Sequence, residues 1–170
     1  MKFELKNEEK AHVFEEIKIY LNSLGLKITS QDSQRPWGGF FVIDEQQAKQ
    51  FADIFFSKID LSSLKISGRL SPKILVVEPE KKLSWQYHHR RAEIWRVVSG
   101  PVGVVTSIDD IERESQSLID GQEIRLKQGQ RHRLIGLTNW GILAEIWQHT
   151  DVNNPSDEND IVRLQDDFGR

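Results

Sequence analysis

"SWQYHHRRAEIWRVVSG", residues 84–100, decides how the rest of the chain is read. Two runs of strand-like residues flank a tight "HRRA" corner, the pattern of two β-strands joined by a short turn. Into that hairpin the chain places Gln86, His88 and Glu93. Gln86 and His88 are two apart on one strand and point to the same face. Glu93 opens the next strand, where it leans back toward that face. His132 follows the "KQGQ" turn and opens a further strand. Taken singly, each of these is more simply a hydrogen-bonded polar residue in a sheet. Together, N and O donors converging from separate strands suit a borderline divalent ion such as zinc, iron, manganese or nickel. A carboxylate facing a barrel interior also costs several kcal/mol unless a cation compensates it.

Working outward, the region after Leu70 is a series of short β-rich runs: "KILVVEP", "KLSWQYH", "EIWRVVSG", "VGVVTSI", "QEIRLKQG", "HRLIGL" and "GILAEIWQ". Turn signals at Pro79, Gly100-Pro101, Gly121, Gly129 and residues 139–141 separate them. With no intervening helices, this predicts an antiparallel sandwich or barrel. The first part of the chain differs. Val13, Phe14, Ile17, Tyr20, Leu21 and Leu24 paint one face of a helix over 8–24, with Gly25 as its stop. Ala48, Phe51, Ala52 and Phe55 mark a second helix over about 46–58, with Asp44 at its N-cap. Between them "RPWGGFFVI" reads as a turn entering a strand.

The composition bounds the function. A chain of 170 residues that is 38% hydrophobic can bury one good core. A net charge of -3 gives no field for nucleic acid or anionic lipid, so neither is expected as a partner. The absence of cysteine excludes disulfides, thiolate metal sites and Cys nucleophiles. The charged start and the lack of any long apolar run predict no membrane segment and a cytoplasmic protein.

The spacing carries a resemblance. Six residues lead from Glu93 to Gly100, and the run from Gly121 through Gly129 to His132 has the intervals of a second cupin motif. Gln86 stands where the first cupin motif usually carries His, and Lys127 where the second usually carries Pro. Residues 83–95 resemble the Leu-Ser-Leu-Gln-x-His-His-His-Arg-Ala-Glu-His-Trp stretch of type II phosphomannose isomerases, the domain often fused to mannose-1-phosphate guanylyltransferases. "RPWGGF", "GQRHRL" and "NDIVRLQDDFGR" resemble three further segments of that family, in the same order. The resemblance covers residues 35–43 and about 72–170. It implies an all-β core, a cupin double-stranded β-helix or jelly-roll barrel, with an N-terminal α-helical extension. Residues 1–34 form the extension, and 35–170 the barrel with a helical insertion at about 44–70. It further implies a divalent metal, zinc before others, held by Gln86, His88, Glu93 and His132, a small sugar phosphate as ligand, and a homodimer.

The family's third consecutive His is Arg90 here, and its His after the Glu is Ile94. The function expected first is a metal-dependent aldose–ketose isomerase converting mannose 6-phosphate to fructose 6-phosphate. Glu145, in phase with Leu143 and Trp147, and Arg133 are its candidate catalytic residues. Arg163, Arg170 and Trp37 are the candidate substrate-binding residues, since the guanidinium fork suits phosphate. The alternative is a non-catalytic, metal-containing sugar or sugar-nucleotide binding cupin. A metal-dependent enzyme on another substrate stays open beside them. Trp85, Trp95, Trp140 and Trp147 read as core aromatics before sugar platforms. His89 reads as a surface residue, and His12 and His149 as isolated, solvated ones.

Overall fold

The computed structural model describes residues 3, 5, 7–64 and 69–170. Eleven strands among them form two antiparallel sheets. β1 (Ile28–Asp32), β2 (Gly38–Ile43), β3 (Lys73–Val77), β5 (Arg91–Ser99), β8 (Glu123–Leu126) and β10 (Gly141–His149) build the larger, in the order β1-β2-β3-β10-β5-β8. β4 (Trp85–Tyr87), β6 (Val102–Ser107), β7 (Gln116–Leu118), β9 (Arg131–Gly136) and β11 (Val162–Gln165) build the smaller, in the order β11-β4-β9-β6-β7. The expected jelly roll is present.

The central strands of the larger sheet are apolar on both faces because each face meets a different layer. On β10, Ile142, Ala144 and Ile146 join an outer cluster, while Leu143 joins the inner core between the sheets. β3 divides likewise, with Ile74 and Val76 outward and Leu75 and Val77 inward. The outer cluster is roofed by α1 (Lys10–Ser23) and α2 (Ala48–Phe55), which contribute Val13, Phe14, Ile17, Leu21, Phe51 and Phe55. α1 ends in a Schellman turn: Gly25 takes φ +70°, and Leu26 N–H reaches back to the Leu21 carbonyl at 3.1 Å. Asp44 accepts from Gln46 N–H at 3.1 Å and opens the short turn that leads into α2.

β1 is absent from the sequence expectations. "ITSQD" has no apolar alternation because it lies at the sheet edge with its middle three residues exposed. It pairs with β2 through the "RPWGG" turn. Two glycines are needed there: a Cβ on Gly38, at φ +140°, would lie 1.9 Å from the Val76 carbonyl oxygen.

Candidate metal centre and anion cavity

Strand parity assembles the site. Across the larger sheet, Lys73, Glu145 and Trp95 form one register row, and Trp147 and Glu93 the adjacent one. On the smaller sheet, Arg163, Gln86 and His132 form the facing row. His88 follows β4 at the hairpin corner. There Asp160 holds the backbone, its carboxylate accepting from His89 and Arg90 N–H at 2.9 Å each. A cavity of about 370 Å³ opens between the rows, with Trp37, Lys73, Gln86, Glu93, Glu145 and Arg163 in its wall.

His88, Glu93 and His132 are all buried, and one donor atom from each lies within 4.8 Å of the others. His88 Nδ1 faces the Asp160 carbonyl at 2.6 Å, and His132 Nδ1 the Gln130 carbonyl at 3.0 Å. A ring nitrogen facing a carbonyl carries the hydrogen, so both Nε2 lone pairs are aimed at the cluster. They lie 3.1 Å and 3.5 Å from the Glu93 carboxylate. Arg91 reaches Glu93 at 2.7 Å and His88 Nε2 at 3.2 Å, whereas the His132 Nε2 lone pair confronts the carboxylate across a dry interior and is repelled by it. His132 Nε2 has no hydrogen-bond partner among the described residues. The donor set and this orphaned nitrogen fit a divalent ion. Gln86 lies on the same wall, its Oε1 accepting from the Ser84 hydroxyl at 2.5 Å.

Burial alone would push the Glu93 carboxyl up, but His88, Arg91 and His132 around it hold it well below the usual carboxylate range. Burial drives His132 down to about 4, against the pull of Glu93. Glu145 is pushed up, by burial first and then by Glu93. Its two oxygens accept from Trp95 Nε1 at 2.8 Å and Trp147 Nε1 at 2.9 Å.

A pH dependence follows for the metal-free protein. The unfolded His132 titrates near 6.5 and the folded one near 4, so between those values the unfolded chain binds more protons. His149, lowered to about 4 by burial and then by Arg69 and Arg91, acts in the same direction. The two histidines should make stability decline as pH falls from 6.5 toward 4, with Glu145, whose pKa is raised, acting in the opposite direction. Denaturant midpoints at pH 7.5 and pH 5 test this, and a higher midpoint at pH 5 contradicts it.

The structure does not bring every expected residue to the site. Trp37, Arg163, Arg170 and Glu145 line the cavity. Arg133 does not: neighbouring His132 on β9, it faces the opposite side of the sheet, bound to the Glu112 carboxylate at 2.8 and 3.0 Å. His149 is not solvated but buried, with Nε2 3.0 Å from the Ser71 hydroxyl and Nδ1 accepting from Ser156 N–H. Trp95 and Trp147 belong to the cavity wall as well as to the interior.

Three cations of the wall escaped the sequence reading, Arg35 of the "RPWGG" turn among them. Arg91 donates to Glu93 Oε1 at 2.7 Å, lies 3.2 Å from His88 Nε2, and stacks 3.7 Å from the Trp147 centroid. Lys73 is buried on the inward face of an otherwise apolar strand, with Nζ 4.0 Å from the Trp147 centroid. A lysine in phase with Leu75 and Val77 was the available signal.

Comparison with known proteins adds the following. Residues 48–166 match the family described as mannose-6-phosphate isomerase C-terminal. Over 136 residues the chain is 32% identical to the xanthan biosynthesis protein XanB of Xanthomonas campestris pv. campestris, covering 80% of this chain and 23% of that protein. The alginate biosynthesis protein AlgA of Pseudomonas aeruginosa is 30% identical, over 80% of this chain and 22% of its own. A mannose-1-phosphate guanylyltransferase of Salmonella montevideo is 27% identical over 90% of this chain and 26% of its own. The chain thus spans about a quarter of the length of these relatives. Among solved structures, the capsular polysaccharide assembling protein CapF from Staphylococcus aureus superposes with TM-score 0.52 at 16% identity, over 82% of this chain and 34% of that one. Vicilin from the hazelnut Corylus avellana gives 0.54 at 16% identity, over 82% and 36%. These two likenesses show the fold alone, that of the cupins.

These relatives overturn the expectation of a mannose 6-phosphate to fructose 6-phosphate isomerase. They are named for guanylyl transfer to mannose 1-phosphate and for polysaccharide biosynthesis, and the chain corresponds to only a small part of each. A sugar-nucleotide-related cupin fits them better.

Proposed function

The chain belongs to the mannose-6-phosphate isomerase C-terminal family, and on that premise we propose that it is a metal-holding cupin that binds a sugar phosphate or sugar nucleotide without turning it over. One observation carries the reading. The buried, partnerless His132 Nε2 faces the Glu93 carboxylate in the wall of a cavity rich in cations. Gln86, His88, Glu93 and His132 would hold the ion, and two imidazoles with an oxygen donor favour zinc. When bound, the ion would supply a Lewis-acidic point toward which a ligand hydroxyl or phosphoryl oxygen can orient. Arg163 and Arg170 would meet the phosphoryl charge, with Trp37 beside them at the wall.

Two features support binding over turnover. Arg90, standing where relatives of the resembled type carry His, bonds Asn154 at 2.7 Å. Both oxygens of Glu145 are committed to indole N–H groups. The division into residues 1–34 and a barrel over 35–170, and the homodimer, belong to the same proposal. Among the described residues no helix is long and apolar enough to cross a membrane.

Thermal denaturation of metal-loaded protein tests the reading. Mannose 1-phosphate or guanosine diphosphate mannose should stabilise the fold by about 2.7 kcal/mol at a hundredfold excess over Kd. A coupled assay with mannose 6-phosphate should yield no fructose 6-phosphate. Turnover would overturn the non-catalytic part, and no stabilisation by either ligand class would overturn the binding part.

A further inference from the structure

The cavity wall carries Arg35, Lys73, Arg91, Arg163 and Arg170 against Glu93, Glu145 and Glu158. Most of these cations are already matched by groups fixed in the fold. Arg35 pairs with Asp32 at 2.8 Å, Arg91 with Glu93 at 2.7 Å, and Arg170 grips both Asp166 oxygens at 2.9 and 3.0 Å. Among the described residues Arg163 has no carboxylate within 4 Å.

Lys73 is different. Its side chain is 6% exposed, set into the sheet over Trp147 and 5.2 Å from the Phe40 centroid. Its register partner Glu145 spends both oxygens on indoles. The carboxylate that touches Nζ comes instead from Glu158, whose side chain is 57% exposed on the connection between β10 and β11. A buried cation with a solvent-facing partner is an asymmetric pair. The ammonium cannot leave without unpacking the sheet, whereas the carboxylate can rotate into water once another anion takes its place at Nζ.

The connection itself is pinned beside that residue. Arg91 donates to Ser156 Oγ at 2.9 Å and to the Asp157 carbonyl at 3.0 Å, and Ser156 Oγ donates to Asp160 at 2.6 Å. Glu158 can therefore swing as a side chain while its backbone stays. Lys73, Trp147 and Glu158 also line a second cavity of about 600 Å³, so the ion pair forms a partition between two open spaces.

We propose that Lys73 is the anion-recognising group of this cavity, and that Glu158 is a tethered stand-in which a dianionic phosphoryl group displaces from the ammonium. The inference rests on the ligand-binding reading above and deepens it by naming the residue that selects the ligand's charge. A monoanion or a neutral sugar gains too little at Lys73 to expel an existing carboxylate. A phosphate dianion bridging Lys73 and Arg163 gains two charge-assisted contacts and wins. Glu158 thereby makes the cavity selective for phosphorylated over unphosphorylated sugars.

The test is calorimetric titration of the full-length chain with inorganic phosphate and with mannose 1-phosphate, comparing the wild type with Glu158→Gln. Removing the competing charge should tighten phosphate binding about tenfold. Adding Lys73→Met to Glu158→Gln should abolish the gain. Glu158 is mostly exposed, so its replacement leaves the fold intact even if the double variant proves unstable. Equal or weaker phosphate binding by Glu158→Gln would overturn the inference. If the wild type binds mannose 1-phosphate and the variant merely equals it, the inference falls while the proposed function stands. If neither protein binds either probe, the inference falls, and the proposed function then stands only if a sugar nucleotide stabilises the fold.

Discussion

Replacing His88 and His132 together with alanine should lower bound divalent metal from about one equivalent to under a tenth, since an amide and one carboxylate make a poor site for zinc. The two rings lie 5.0 Å apart, and Trp95 packs edge-on against His132 at 5.5 Å. The truncations therefore open a small buried space. They do not strand a charge, because Arg91 remains to neutralise Glu93. Folding should survive while the ion is lost, and that separation makes the experiment decisive. Elemental analysis after dialysis against zinc-containing buffer reads the result. A double variant retaining as much metal as the wild type would show that the ion sits elsewhere.

The second large effect concerns the roof over the outer sheet face. Phe51 is fully buried, with its ring centroid 4.8 Å from that of Phe55 and 6.3 Å from that of Phe56. Phe51→Ala should cost about 3–5 kcal/mol, a large share of the roughly 5–15 kcal/mol that holds a domain together. Deleting residues 1–60, which removes β1 and β2 together with both helices, should go further. It uncovers Ile74, Val76, Ile94, Ile142, Ala144 and Ile146 as one apolar face, and such a face drives association. Denaturant titration of the point variant and light scattering of the truncation measure the two. A truncated protein that stays monomeric with an unchanged melting temperature would mean that the helices and the β1–β2 hairpin are together dispensable to the rest of the barrel.

Much of this architecture was legible in the sequence because burial is periodic. The apolar alternation after Leu70 and the helical stripes at Val13–Leu21 and Ala48–Phe55 report which faces pack. β1 was illegible because an exposed edge strand needs no pattern. The converging His88, Glu93 and His132 were readable from strand parity and turn placement. Parity also argues against Arg133: with His132 inward, its neighbour on β9 has to face outward. Lys73 and Arg91 were passed over for a different reason. A cation among apolar residues resembles a surface position until the partner sheet is folded over it. Only long-range pairing, such as Lys73 with Glu145, turns it into a wall of the cavity. His149 was misread likewise, since its partners Ser71 and Ser156 lie on separate loops.

Trp147 has the Lys73 ammonium 4.0 Å and the Arg91 guanidinium 3.7 Å from its ring centroid. An excited indole shifts electron density from its five-membered toward its six-membered ring, so fixed charges this close set the colour of its emission. An anion arriving at Lys73 alters the field on Trp147, and an ion arriving beside His132 alters that on Trp95. Trp85 and Trp140, tied by their N–H groups to the Asp110 and Glu8 carbonyls outside the cavity, supply a steady background. The barrel therefore contains built-in optical gauges in Trp147 and Trp95, with Trp37 a third ring on the same cavity wall, readable without any added dye.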